Sequence, residues 1–467
     1  MSQISKAQER VIIEDFAKEI LGKRTKTAKP AKEVIRFRTD IQDVIERDVW
    51  RVPIEILRYR KDNGRIASDV KDYESNTGIL DERDEQAQAQ IADFLEQKDP
   101  EKTAILRKSI MHDGQLEPAI ITCDGFLING NRRKMVMERL RREHPENSNY
   151  TYMKAVILPG KDDEGGPPTL YEIEKLENRY QLQSEGKSEY YGFDRALSIK
   201  RKVELGLSLE EQLKDDPRYA EASHAELEKA VKNCKKHFLE PLECVDKYLK
   251  QFKREGQYRT ISTGMSDPEG RWQAFIDYSN TYKKCFKNAK KRIELGIEED
   301  EIGEIEETAF DIIRLRAIPD MPKVHTIMRD LAKYCETKDG KKEILKIAEK
   351  VEPVLSSEES KDQHGDPLQP KKIDAKWAAK NKQDIIYHTK SARDSYESKK
   401  EKETPLDLLE AALKKLNHDD MDLSSIDLTD LRHARKVIKE IKYRADALEG
   451  HLYHFEKEAN KLANKKT

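Results

Sequence analysis

Nine apolar residues near the C-terminus, Ala434, Ile438, Ile441, Ala445, Leu448, Leu452, Phe455, Ala459 and Leu462, follow one another at alternating steps of four and three. That spacing holds all of them on one stripe of a helix. It has no counterpart on a strand, where side chains alternate with period two. The end of the chain is therefore committed to a long helix opened by Thr429. Its apolar stripe either pairs with a second copy or folds back, as an antiparallel hairpin, on a helix expected over 404–417. There Thr404-Pro405 opens a run bearing Leu408, Leu409, Ala412, Leu413 and Leu416. Composition points the same way: of 467 residues, 38% are charged and 36% hydrophobic. Long exposed helices carry such a balance more readily than one compact globule does.

The formal net charge is −2, so any nucleic-acid surface has to be local. Cys123, Cys234, Cys244, Cys285 and Cys335 are odd in number and widely spaced, with no CxxC pair. This argues against a disulfide framework or a zinc site and for a reducing compartment. Met1 to Leu21 is polar, and no apolar run approaches membrane-spanning length. The expectation is a cytoplasmic protein with no membrane contact.

The fold class expected is α+β: a small mixed-sheet unit followed by a large all-helical region with the C-terminal heptad helix. Residues 1–48 read as a helix, with Val11, Ile12, Phe16, Ile20 and Leu21 on one stripe, and a basic linker from Lys23 to Lys32. Residues 49–170 alternate strands and helices. Strands are expected at Val52–Leu57, Pro118–Thr122, Phe126–Ile128 and Tyr152–Leu158, with a helix at Ala104–His112 and an acidic insertion or lid over 67–103 that ends in a helical piece around Gln86–Leu95. Residues 171–255 read as helical. Glu177-Asn178-Arg179-Tyr180-Gln181 is most simply a solvated face, and Ser188 opens a helix to Leu205. Capping boxes start at Ser208 and Ser223, the second opening a helix to about Phe252. This layout fits a helix-turn-helix or a plain bundle equally. Residues 256–355 read as further helices, with a basic stretch over Tyr282–Arg292 that the acidic Glu298–Glu307 is placed to neutralise. Residues 356–376 read as a linker and 377–467 as the C-terminal helical region.

The stretch with the most chemistry is Asp124-Gly125-Phe126-Leu127-Ile128-Asn129-Gly130-Asn131-Arg132-Arg133. It reads as a turn, a short strand, a glycine turn and a helix capped by Asn131. Backbone N–H groups at such a helix start favour an anion. Arg132 and Arg133 add forked donors that match phosphate or carboxylate. A capped surface helix with two solvated arginines is the plainer alternative.

Three segments in order, Asn63-Gly64-Arg65-Ile66, then Ser109-Ile110 through Gly114-Gln115 and Pro118, then Asn129-Gly130-Asn131-Arg132-Arg133, resemble the N-terminal domain of the ParB/sulfiredoxin superfamily. The resemblance spans about 50–185, with a helix-turn-helix echo to about 253. It implies a nucleoside triphosphate, CTP or ATP, bound with Mg²⁺. Gly130, Asn131, Arg132 and Arg133 would hold the triphosphate, with Arg65 and Gln115 in the same binding set. Glu177 and Asn178 would be the metal ligands, a carboxylate and a neutral oxygen that suit Mg²⁺. Arg132 and Glu177 would be the catalytic pair of a slow NTPase. Where the family loop carries Glu, this chain has Asn131, and sulfiredoxin's reactive cysteine has no counterpart in the loop, which argues against peroxiredoxin repair.

The function expected is a ParB-like protein that couples nucleotide binding to DNA binding or assembly, dimeric through the heptad helix or the helical region. The alternatives are a non-catalytic assembly subunit of a phage or defence system, and a nuclease or phosphotransferase on the same scaffold. A nuclease would gather metal-binding acids, with Asp113, Asp124 and Glu177 as candidates.

Overall fold

The computed structural model describes residues 8–27, 31–35, 37–38, 45–182, 192–219, 221–261, 271–361, 364–366, 368–418, 421 and 423–463. The chain divides into two compact units, Met1–Tyr396 and Glu397–Thr467.

In the first unit α1 (Glu14–Lys23) is followed by β1 (Thr25–Lys26), β2 (Lys32–Ile35) and β3 (Ile45–Pro53). Three helices come next: α2 (Ala67–Thr77), α3 (Glu85–Gln97) and α4 (Pro100–Asp113). The hairpin of β4 (Ala119–Ile121) and β5 (Leu127–Asn129), α5 (Asn131–Glu143), β6 (Tyr152–Ile157) and α6 (Leu170–Leu182) complete the region. The sheet is mixed and runs β1-β3-β6-β4-β5, with β2 also paired to β3. β6 is antiparallel to β3 and parallel to β4. Alternate residues face opposite layers, as the pleat requires. Ala119, Ile121, Leu127, Met153 and Ala155 join the core formed with α2–α5, while Ile120, Ile128 and Val156 pack on Ile173 and Leu176 of α6.

Several sequence expectations shift here. The start of the expected N-terminal helix lies outside the described residues, and residues 8–13 are not helical. They are held instead by Asp124, which accepts from the Arg10 guanidinium at 2.7 Å and from the Ile13 amide at 3.1 Å. The basic linker contains β1, and the 67–103 stretch is packed into the sheet unit rather than set apart from it. Its helices bury Val70, Ala87, Ile91, Phe94 and Leu95 in the same core as the sheet.

The rest of the first unit is helical: α7 (Gly192–Glu204), α8 (Leu209–Lys214), α9 (His224–Cys234), α10 (Glu240–Gln251), α11 (Arg271–Thr281), α12 (Ala289–Glu294), α13 (Glu301–Leu315), α14 (Val324–Tyr334) and α15 (Lys338–Lys350). The position of Ser188 lies outside the described residues. Both capping boxes form, with Ser208 and Glu211, and Ser223 and Glu226, exchanging side-chain and backbone bonds. The helix expected from Ser223 is interrupted by a π turn at Lys235–Leu239. In the basic stretch, Arg292 does meet Glu299 at 3.3 Å, but Lys291 pairs with Glu294 and Lys283 with Glu240.

α16 (Pro370–Leu416) begins in the first unit and ends in the second. Trp377, Ile385 and Ala392 are buried in the helical core. Arg314 stacks on Trp377, 4.2 Å from the ring centre, and reaches Asp374 at 3.0 Å. These contacts make the start of α16 part of the first unit, so 356–376 does not separate compact units. No helix starts at Thr404-Pro405 either: Pro405 sits inside α16, and the Thr404 hydroxyl donates back to the Lys400 carbonyl at 2.5 Å. In the second unit α17 (Leu431–Ala463) leaves Ile438, Ile441, Leu452 and Phe455 exposed, as the end of α16 leaves Leu408 and Leu413. The described residues therefore do not bury the seam in an intramolecular hairpin. No described helix is long and apolar enough to cross a membrane.

Candidate functional site

A cavity of about 500 Å³ opens between α4, the β5–α5 turn and α6. Its floor is the start of α5. The helix is capped by Gly130, not by Asn131 as its side chain suggested, and Gly130 has φ +100°. A Cβ there would lie 3.0 Å from that of Ala119 and 3.1 Å from the Met153 methyl, so any other residue would be strained in backbone and crowded by both neighbours. Asn131 becomes the first helical residue. It is 7% exposed, lines the cavity, and its Oδ1 is buried without a hydrogen-bond partner.

One stripe of α4, Lys102, Ile105, Leu106, Ser109 and Ile110, forms a wall that is basic at one end and apolar beyond it. Such a wall suits an amphiphilic ligand with an anionic end.

The structure brings Arg65, Gln115, Gly130, Asn131, Arg132, Arg133 and Glu177 to this one cavity. The arginines are not idle. Arg132 donates to Asp99 Oδ2 at 2.9 Å, and Arg65 lies 3.8 Å from the same oxygen. Arg133 donates to the Glu117 carbonyl at 2.6 Å and to its carboxylate at 3.2 Å. Burial pulls the Arg133 guanidinium below its ordinary value, and Glu117 opposes that pull. Gln115 serves the wall: its amide donates to the Glu117 and Lys154 carbonyls and accepts from the Lys154 amide at 2.7 Å. Tyr180 completes the lining, its hydroxyl pushed up to about 12 by burial, with Glu33 and Glu117 adding to the shift.

α6 departs most from expectation. Its polar residues are not a solvated face: Glu174, Glu177 and Asn178 are all at most 5% exposed. Arg60 donates to Glu174 at 2.8 Å and lies 3.4 Å from Glu177. Glu177 also accepts from Gln181 at 2.6 Å and from the Gly64 amide at 3.3 Å. Burial alone would lower the Arg60 guanidinium, but Glu177 and Glu174 outweigh it and hold it above its usual value.

Asn178 does not reach the cavity. Its amide donates to the Gln212 carbonyl at 3.0 Å, and its oxygen accepts from Lys202 at 3.1 Å. Adjacent helical residues diverge by about 100°, which is why Glu177 and Asn178 face different ways. The pair therefore does not fit a shared metal ion. No group of three His, Cys, Asp or Glu side chains able to hold a metal occurs among the described residues.

The acids foreseen for a nuclease also stay apart. Asp124 is fully buried against Arg10 and Thr122, and Asp113 pairs with His112 outside the cavity lining. The loop over Arg259–Gly264 is described only to Ile261, where Arg259 lies 3.2 Å from Asp69.

Sequence reasoning missed Asp99, Arg60 and Lys102. Asp99 had a signal: it precedes Pro100, the pattern of a helix start. Comparison of the chain with protein-family models, with curated proteins and with solved structures finds no match.

Proposed function

We propose that the protein is a ParB-like nucleotide-binding protein whose cavity holds a nucleoside triphosphate. The observation that carries the reading is the convergence of Arg65, Arg132 and Arg133 on the start of α5, although the first is far from the others in sequence. Backbone N–H groups at a helix start and forked guanidinium donors recognise phosphate oxygens, and Lys102 adds a point charge at the same end. The apolar part of α4, with Ile105 and Leu106, offers a surface for a base.

The reading is of binding rather than turnover. Glu177 is enclosed by Arg60 and Gln181, a poor setting for a group that must position a water. It includes no protein-held metal. Coupling to DNA or to assembly partners would run through the polar contacts between α6 and α7, where Arg201 lies 3.6 Å from Glu174 and Lys202 donates to the Asn178 amide oxygen.

Calorimetric titration with CTP, ATP, GTP, UTP and inorganic triphosphate tests the proposal. At least one nucleoside triphosphate should bind, and Arg132→Ala should weaken it by about 10- to 100-fold, the worth of a charge-assisted hydrogen bond. Absence of binding by every nucleotide, or an Arg132→Ala titration indistinguishable from wild type, defeats it. Equal affinity for inorganic triphosphate would remove the role given to the α4 wall.

A further inference from the structure

We propose that α17 is the interface of an antiparallel homodimer. The stripe from Ala434 to Phe455 is apolar at every heptad position, and its larger members, Ile438, Ile441, Leu452 and Phe455, are between 42% and 70% exposed. A helix with an uncovered seam of this length buries it against another helix. The end of α16 leaves its own leucines exposed, so it does not fill that role within the chain.

The charges beside the seam select the partner and its direction. In heptad terms Ile438, Ala445, Leu452 and Ala459 stand at a, and Ala434, Ile441, Leu448 and Phe455 at d. The e positions are then Arg435, Lys442, Glu449 and Glu456: two bases followed by two acids. Antiparallel pairing sets e against e, which places Arg435 of one copy beside Glu456 of the other, and Lys442 beside Glu449. The twofold axis repeats both contacts. The same register sets Ile438 against Phe455, Ile441 against Leu452, and Ala445 against Leu448, so large and small side chains face each other at the centre.

Parallel pairing is worse on both counts. It stacks Ala445 on Ala445 and leaves a void. It also makes fewer full ion pairs across the seam: within α17 its Lys/Arg–Glu contact is Arg444 with Glu449 of the other copy, where the antiparallel register makes two such contacts. No partner of other composition is needed, because the helix is complementary to itself when reversed.

Charge exchange distinguishes the two directions. In the antiparallel dimer Lys442→Glu turns two attractive contacts repulsive, and adding Glu449→Lys restores both with the signs exchanged. In a parallel dimer the added lysine would instead face Arg444 of the other copy, and the double substitution would be worse than the single one. The measurement is sedimentation equilibrium of the full chain over a range of concentrations. The wild type should dimerise, Lys442→Glu should raise the dissociation constant roughly tenfold, and the double variant should return to the wild-type value. Leu452→Asp should leave only monomer. All these positions are exposed, so circular dichroism should show each variant folded. A monomeric wild type, a dimer that survives Leu452→Asp, or a double variant weaker than Lys442→Glu overturns the proposal. None of these outcomes depends on whether the cavity binds nucleotide.

Discussion

Two helices of this chain distribute their side chains in opposite ways. α6 buries charge: Glu174 and Glu177 lie inside the first unit. α17 exposes apolar surface: Ile438, Ile441, Leu452 and Phe455 face solvent in the second. Both are helices for the same local reasons. What separates them is the supply of partners. Arg60 and Arg201 reach the α6 carboxylates from distant points in the sequence, so their ionisation is compatible with burial. The seam of α17 has no such complement within the described residues. Helical periodicity thus fixes which residues share a face, and the neighbouring elements decide whether that face is wet.

The contrast can be broken from its buried side first. Arg60→Ala leaves two carboxylates without their counter-charge and should cost about 3–5 kcal/mol in urea denaturation. The loss should depend on pH. Burial, and then the charge of Glu177, raise the Glu174 carboxyl above the usual range. A raised folded-state value means that its contribution is present at low pH and is lost as pH rises through that value. Without Arg60 the rise is larger, so the deficit should be greatest near neutral pH and shrink on acidification.

Phe94→Ala on α3 should cost about 3 kcal/mol in the same assay, because it empties a site in the sheet core beside Tyr73. A loss under about 0.5 kcal/mol would mean that α3 is the surface feature its acidic surroundings suggested. At the small end, Leu452→Ala on α17 should change the stability of the monomeric chain by no more than about 0.5 kcal/mol. A larger loss would show that the seam is packed within its own chain.

The elements fixed by local chemistry were legible in the sequence. The glycine turn at Gly130 and the two serine capping boxes need only near neighbours, and all stand where their residues place them. The grouping of Arg65, Arg132, Arg133 and Glu177 was legible only through a three-part pattern, since no local rule joins residues so far apart. The burial of α6 was not legible, because Arg60, Arg201 and Lys202 become its partners only on folding. α3 was legible as a helical piece around Gln86–Leu95, but its packing was not. Its acidic, glutamine-rich setting masked Ala87, Ile91, Phe94 and Leu95, which fall on one helical face. The course of α16 through Pro405 runs against the usual penalty for proline, and Thr404 bonds to a carbonyl one turn back.

Asp99 carries one more consequence. It sits in the left-handed region at φ +53°, unusual for a residue with a side chain, and its carboxylate is 2.9 Å from Arg132 and 3.8 Å from Arg65. A buried resident anion thus sits behind two of the arginines that line the cavity. On the reading proposed above, an anionic ligand would share these arginines with Asp99, so its binding would be a competition. A singly charged ligand would gain little over the resident carboxylate, whereas one with several negative oxygens would displace it. On that reading Asp99 would set a threshold on ligand charge, built into the chain itself.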